Sequence, residues 1–531
     1  MSKNKGKYKS KSLNNSLNKN WLNVDKTKLI SFLLFALLLI AILARVFSIF
    51  TVPEPAYNDS VYHLELAKQL MNGGPITSAT PPFAYHLLLA GFFFITNFPM
   101  VWPFVKIIPL LVFLAQLGVA FILFRKLFPK NFLIPLIFFI SFPSMVRFGS
   151  VNMIESFSIL AVTTFAYLLY SMATSKSKNQ FVFYSVFCVI SFLLLSFTKT
   201  NVILLVPAFL LGFAIISWKK IGFAKTIPLV LLAFVLGFSF IFVSMLLPAP
   251  LGPPSFTYSS ISTPRLDLIT PVFFVKSTAS FFDFPHQSSF SKLPVLNLIP
   301  YQIALPAFLL VILPLIIALI LGALSSAQIL KLLKKPFALV KQKFSEKEFL
   351  MVFFFTCLLA SILSIYPGLT IIRENEIYVR YMLPALPFFA ILLGIAFDKL
   401  KGNFCRICLV SLILFAVYSF AMTSVSAVFY QSVEQSNQPL YDYISNNAQI
   451  SSVISMQNAR AVRYYTGKET VVLDNGDYTL DEIKLAHYSK TPYISVSCYN
   501  EDLITSVKDL FDNSKTEVVF EKGCAKLLKI K

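Results

Sequence analysis

Apolar runs of about 18 to 23 residues recur along most of the chain, the length a helix needs to cross a bilayer. Eleven spans are read, roughly 29–51, 102–124, 131–146, 155–173, 181–198, 201–218, 226–246, 301–323, 349–366, 381–397 and 404–428. A further apolar stretch, "FAYHLLLAGFFFITN" at 83–97, is about 15 residues long, too short to cross, and is predicted to lie on the outer surface. Ahead of it, "YNDSVYHLELAKQLMNGG" at 57–74 reads as a short amphipathic helix. Asp59, His63, Leu66 and Leu70 share one side by their spacing, and Gly73 and Gly74 end it. After about residue 429 the pattern changes. "SSVISM", "TVVLD", "PYISVSC" and "TEVVFE" have strand character, and "PLYDYISNN", "ARAVRYYTG", "TLDEIKLAHYS" and "DLITSVKDLFDN" are helical. The alternation predicts a small α/β domain.

Composition supports a membrane class. Of 531 residues, 56% are hydrophobic and 13% charged, more apolar surface than a soluble chain of this size can hide. A net charge of +21 raises the question of nucleic acid, and the placement of the charge answers it. Residues 1–28 form a Lys-, Ser- and Asn-rich tail of disordered character. The tail lacks an apolar core, and the span after it lacks a small-residue cleavage site, so it is not a signal peptide. Set in the cytoplasm, the tail fixes an alternation in which every later basic cluster also falls inside. These clusters are Arg125 to Lys130, Lys176 and Lys178, Lys219 to Lys225, Lys331 to Lys347 and Lys399 to Arg406. The expectation is a multi-pass plasma-membrane protein with partners in the lipid phase and no nucleic acid. Residues 29–428 form its transmembrane domain, with outer loops 52–101, 247–300 and 367–380, and 429–531 form an extracytoplasmic α/β domain.

Cysteines add little. Cys188, Cys357, Cys405 and Cys408 lie in or beside spans; "CRIC" at 405–408 has metal or redox spacing but no second pair or His near it. Cys498 and Cys524 share the outer domain, where a disulfide is permitted, and their pairing stays open at this point.

Candidate chemistry gathers at the outer surface. Asp59, His63 and Glu65 come from the first loop and Glu155 from "SVNMIESF". Lys106 comes from "VWPFVKIIPLL", Lys199 from "FTKTN", and Arg373 and Arg380 from "IIRENEIYVRYMLPALPF". Charges at a membrane edge are costly and point to function. Each also has a plainer reading: snorkelling for the basic residues, a helix-start acid for Glu155, a cap for Asp59. "NDS" at Asn58 is in addition a glycosylation acceptor pattern. Taken together, two carboxylates and several cations at headgroup level suit one reaction. A carboxylate can activate an acceptor hydroxyl, and cations can stabilise a departing phosphate.

The order of these motifs resembles the GT-C superfamily of membrane glycosyltransferases, of the protein mannosyltransferase and aminoarabinose transferase type. Asp59, Tyr62, Ala67 and Gly73, then "TPPFAYHLLLAG", match its first loop, Pro-Pro motif and surface helix. Glu155 matches its second acid, Thr198 and Lys199 its "TK", and Arg380, Tyr381, Pro384 and Pro387 its late "RY" and prolines. The resemblance covers about residues 29–400. It implies sugar transfer from a polyprenyl- or dolichyl-phosphate donor to a protein or glycolipid acceptor at the outer face, in one inverting displacement. In that reading Asp59 is the general base and Glu155 orients the acceptor. Lys106, Arg380, Lys199 and Arg373 bind the donor phosphate, and Tyr62, His63, His86 and Tyr381 shape the sugar pocket. No organic cofactor is implied; a divalent ion on Asp59 and Glu155 is left open. One departure matters. Many relatives carry Lys before the Pro-Pro, where this chain has Thr80, so the phosphate contact passes to another cation, with Lys106 and Arg380 the candidates.

The rivals are a transporter or flippase of lipid-linked glycans and a structural membrane protein with an outer interaction domain. The first needs charges lining a path through the spans; the second leaves the clustered carboxylates and cations unexplained. An oligosaccharyltransferase is disfavoured, because Trp-Trp-Asp-Tyr-Gly is absent and Trp21, Trp102 and Trp218 are scattered.

Overall fold

The computed structural model describes residues 26–56, 58–74, 84–198, 200–203, 205–246, 282, 299–330, 350, 353–358, 380, 382–456, 459–473, 492–498, 512 and 514–531. A helical bundle carries a small sheet at one end. Helix α1 is Lys26–Thr51, α2 Asn58–Met71, α3 Ala84–Thr96, α4 Ile107–Leu127, α5 Leu133–Ile140, α6 Pro143–Phe148, α7 Ile154–Ala173 and α8 Lys178–Ser196. Then follow α9 Val206–Ile221, α10 Phe223–Gly237, α11 Ser239–Leu246, α12 Tyr301–Leu330, α13 Leu386–Lys399, α14 Gly402–Asn446 and α15 Ala459–Thr466. Among the described residues, six helices are long and apolar enough to cross a membrane. Their outward positions, such as Phe32, Phe35, Leu39 and Leu43 on α1, are exposed Phe and Leu, as lipid contact requires. The chain is thus a multi-pass membrane protein.

Helix α7 is the centre. It packs on α4 and α8, and 78% of its apolar window is buried, against 33% for α1 and 28% for α12. The centre is a Phe-rich interior: Phe165 stacks on Phe209 with ring centroids 4.5 Å apart, and Phe138 and Phe142 pack on Phe415 of α14. Phe282, from the long 247–300 segment, is wedged against both Phe142 and Phe415. Helices α12 and α13 approach closely at Gly322, where a side chain would collide with the Leu392 carbonyl.

Several predicted spans divide. The 131–146 span is two short helices, α5 and α6, because Pro143 has no N–H to continue α5 and holds Phe142 extended at φ −65°, ψ 115°. The 226–246 span breaks between Gly237 and Ser239. The 83–97 stretch is the 13-residue α3, too short to cross, as expected. Helix α2 ends in the predicted glycine cap: Gly73 has φ +71°, and Gly74 N–H donates to the Gln69 carbonyl at 2.8 Å. Its buried face differs from the predicted one. Ser60, Val61, His63, Leu64 and Ala67 are buried and Leu66 and Leu70 only half-buried: Leu64 and Ala67 join an apolar cluster with Tyr85, Leu89 and Ile154, while Ser60 and His63 meet Glu54 and His86.

Strands β1 Ser452–Met456, β2 Glu469–Leu473, β3 Tyr493–Val496, β4 Thr516–Lys522 and β5 Ala525–Ile530 form one mixed sheet, ordered β2-β1-β3-β5-β4. β1 pairs with β2 and β3 in parallel; β5 pairs with β3 and β4 antiparallel. Four strands follow the sequence pattern; β5, in "AKLLKI", was not expected. "PLYDYISNN" is not a separate helix. It is the last part of α14, a single 45-residue helix running through the expected boundary at 429. Leu440, Tyr441 and Ile444 of α14 pack with Val453, Val462 and Leu527, so the helix is part of the sheet's own core. Cys498 and Cys524 form a disulfide, joining the end of β3 to the turn between β4 and β5. Cys405 and Cys408 are free thiols, and Cys408 donates to the Pro314 carbonyl at 3.5 Å.

Candidate active site at the sheet-bearing end

The start of α7 is anchored by a buried polar network. Asn152 donates its backbone N–H to Glu54 Oε2 at 3.0 Å and its side-chain amide to the Val105 carbonyl at 2.9 Å. Ser60 on α2 donates to the same Glu54 carboxylate, and Tyr85 on α3 donates to Asn152 Oδ1 at 3.3 Å. One carboxylate therefore ties the first turns of α2 and α7 together. Both helices then present an acid in the first turn, Asp59 and Glu155, toward the same point.

Arg380 occupies that point. Its Nη1 lies 2.6 Å from Asp59 Oδ2, its Nε pairs with Glu155 Oε1, and its guanidinium lies 5.9 Å from the Phe148 ring centre. Glu155 is fully buried; the Asp59 side chain is 41% exposed and that of Arg380 28%, so the cluster opens on the Asp59 side. Burial alone would raise the Asp59 pKa. The Arg380 charge and hydrogen bond outweigh it and hold the carboxyl below its usual value. Arg380 is correspondingly held more firmly protonated. Three residues from separate parts of the sequence, each singled out there, thus meet in one ion cluster.

A second basic layer comes from the sheet and was not read from the sequence. Helix α15, "ARAVRYYT", turns Ala461 and Val462 into the sheet core. By the three-to-four residue spacing, its other face carries Arg460, Arg463 and Tyr464 onto α2 and its surroundings. Arg460 reaches Asp59 Oδ1 at 3.5 Å and lies 4.4 Å over the Tyr62 ring. Arg463 grips Glu65 with two bonds, 2.8 and 3.0 Å, and Tyr464 donates to the Met100 carbonyl at 3.2 Å. The signal was present: two Arg at i and i+3 beside two Tyr on a short, otherwise apolar helix.

Other expected site residues are placed differently. Lys106 is fully buried, with Nζ 2.8 Å from Glu54 Oε1 and 3.1 Å from the Ser150 carbonyl. It is committed to the network beneath α2, so the expectation of a phosphate-binding Lys106 is corrected: contact with a ligand would strand the buried Glu54 charge. Glu54 itself was passed over in the sequence. His63 and His86 pair with each other, Nδ1 to Nε2 at 2.7 Å, and both are buried. Burial, then the neighbouring His63, push His86 down to about 3, so it is neutral. Tyr62 lies beneath Arg460 at the edge of the cluster. Ser60 of the "NDS" pattern is buried on Glu54, which leaves its hydroxyl unavailable to a glycosylation enzyme. Lys199, Arg373, Tyr381 and Thr80 lie outside the described residues.

Arg45 was also overlooked. It is buried on α1, donates to the Met145 carbonyl and sits 5.5 Å from the Phe113 ring centre. A Cβ at Gly149 would strike the Arg45 guanidinium, so any larger residue there would push Arg45 aside.

A divalent ion does not fit the acids as they stand. The Arg380 guanidinium lies between Asp59 and Glu155, and no third His, Cys, Asp or Glu joins them among the described residues. The arrangement instead offers a partly open carboxylate beside a cation that could turn to an incoming anion.

No protein-family model and no curated protein matches this sequence. Solved structures match in fold. ArnT from Cupriavidus metallidurans bound to undecaprenyl phosphate aligns over 93% of this chain and 97% of its own, with TM-score 0.52 and 11% identity. The same protein in the apo state aligns over 97% and 98%, with TM-score 0.53 and 11% identity. The Archaeoglobus fulgidus oligosaccharyltransferase, in complex with Zn and sulfate, aligns over 87% of this chain and 67% of its own, with TM-score 0.53 and 14% identity. The present chain shares the fold of these two membrane proteins.

Proposed function

We propose that this protein is a membrane glycosyltransferase that moves a sugar from a polyprenyl-phosphate carrier to an acceptor at the outer face of the plasma membrane. The N-terminal tail is cytoplasmic and the sheet is extracytoplasmic. The observation that carries this reading is the Asp59–Arg380–Glu155 cluster at the sheet-bearing end of a GT-C-type bundle. The neighbour crystallised with undecaprenyl phosphate supports the choice of donor class.

Without substrate Arg380 is held between the two acids. The donor phosphate, whose two free oxygens match the guanidinium fork, takes the place of Asp59 on it. Asp59 then loses the partner that depresses its pKa and becomes the more effective base. It takes the acceptor hydroxyl proton as that oxygen attacks the anomeric carbon. The bond from that carbon to the carrier phosphate breaks in the same step, with inversion. The electron pair leaves on the phosphate, where Arg380 stabilises it. Glu155, fully buried, keeps hold of Arg380 and fixes its direction.

The test is incubation of purified protein with a panel of polyprenyl-phosphate sugars, reading the release of free polyprenyl phosphate. Asp59→Asn removes the base and keeps the shape. Release by the wild type with a fall of roughly 10²-fold or more in a folded Asp59→Asn variant is the expected result. Near-normal turnover by that variant overturns the role of Asp59.

A further inference from the structure

Where α14 meets the edge of the sheet there is a shallow, widely open groove, apart from the ion cluster. Its floor is aromatic: Tyr443 of α14 and Phe520 of β4, with ring centroids 4.9 Å apart and inclined by 31°. Its walls are short polar side chains, Asp442, Asn446, Asn447 and Gln449. Asp442 is oriented by Gln438, whose amide donates to it at 2.9 Å, and Asn447 Oδ1 accepts the Gln449 backbone N–H at 3.0 Å.

The lining selects a ligand class. No Lys or Arg is among the described residues that line this groove; Lys468, beside it, is tied to the Asn447 carbonyl at 3.4 Å, so the lining itself offers an anion no cation. Its single charge is a carboxylate, an acceptor for hydroxyl donors. The amides supply donors and acceptors in pairs, which matches vicinal hydroxyls. The aromatic floor gives an uncharged flat surface, negative on its face, for the polarised C–H groups of a ring. A sugar ring has both features: an apolar C–H face and an edge of hydroxyls. An apolar peptide would leave the amide walls unsatisfied.

We infer that this groove binds a neutral glycan, and that it holds the acceptor chain for transfer at the ion cluster. The second clause rests on the proposed glycosyl transfer; the first does not. The experiment uses the full chain in detergent and measures binding of short linear gluco-, manno- and galacto-oligosaccharides by titration calorimetry, without donor. Uronic-acid oligosaccharides serve as the charged control. At least one neutral member should bind, and Tyr443→Ala and Asp442→Ala should each weaken it roughly tenfold, the effect of losing one stacking surface or charge-assisted hydrogen bond. Tyr443→Phe should retain binding and Asp59→Asn should leave it unchanged. With donor added, Tyr443→Ala should raise KM for the acceptor glycan and leave kcat and the donor KM as they were. Three results overturn the glycan site: no neutral member binds; binding is the same in folded Tyr443→Ala and Asp442→Ala; or the uronic-acid control binds more tightly. Intact binding with no effect of Tyr443→Ala on acceptor KM overturns the acceptor role alone. Failure of glycosyl transfer in every panel leaves the binding result standing by itself.

Discussion

Arg380→Gln tests the cluster most directly. Arg380 serves two acids in different surroundings, so its loss has two unequal costs. The Asp59 side chain is 41% exposed, and water can replace the guanidinium there at a cost of about 0–1 kcal/mol. Glu155 has no exposure, and removing the partner of a buried charge costs about 3–5 kcal/mol. The Arg380 side chain is itself 28% exposed, so some water reaches the gap, and the lower end applies: about 3 kcal/mol in all. Most of that cost is a stranded carboxylate rather than a lost attraction. Adding Glu155→Gln to Arg380→Gln should therefore recover about 2 kcal/mol of it, a strong non-additivity between contacting residues. Thermal melts of wild type, both single variants and the double variant in one detergent give the ranking. The double variant should melt above Arg380→Gln although it carries more changes. Equal midpoints for those two, or a wild-type midpoint for Arg380→Gln, would refute the assignment of Arg380 as the counter-charge of Glu155.

Other expectations follow from the same geometry. Arg460→Ala removes the longer contact to Asp59 and the stacking on Tyr62, worth about 0.5–1 kcal/mol at a partly exposed site; hydrogen exchange in 459–466 should rise while the bundle is unchanged. Stability should fall with acid in two stages. The unfolded chain protonates His near 6.5 while His86 resists to about 3, so stability is full above about pH 7 and declines below 6.5; His86→Gln should remove this limb. Asp59, depressed by Arg380, adds a second loss below about pH 4, absent in Asp59→Asn. Breaking the Cys498–Cys524 bridge, which spans 26 residues, should cost about 3 kcal/mol in the sheet region, read by proteolysis with and without Cys524→Ser. Finally, a Cys placed at exposed Ser432 should react with an impermeant thiol reagent in intact cells if the sheet lies outside.

The sequence disclosed the site unevenly, for physical reasons. Asp59, Glu155 and Arg380 were readable because a charge beside an apolar span is expensive and stands out. Lys106 stood out for the same cause and was misassigned, because its partner Glu54 is 52 positions earlier and nothing local connects them. Arg460 and Arg463 were missed for the opposite cause: outside the apolar spans, arginines look like solvated surface until the fold sets α15 on α2. Hydropathy also found too many uninterrupted spans, since a buried helix and a broken one have the same apolar average, as at 131–146. It gave no hint that α14 continues past the membrane, because Glu434, Asn437 and Pro439 resemble the end of a span.

That continuation makes α14 a gauge of height and angle. At about 1.5 Å per residue its 45 residues extend about 67 Å, roughly twice the hydrocarbon thickness of a bilayer. The sheet is mounted on a rigid post whose other end is fixed among α1, α12 and the bundle core. A helical post sets rotation and elevation together. Two residues added near Ser432 would swing the sheet by about 200° and carry α15 away from α2, whereas four would return it to nearly the same bearing, about 6 Å higher. The spacing between the lipid surface and whatever the sheet presents is thus written in the residue count of one helix. Small insertions there should turn the sheet with a phase of about 3.6 residues, while the added rise of about 1.5 Å per residue pulls Arg460 from Asp59 at any phase.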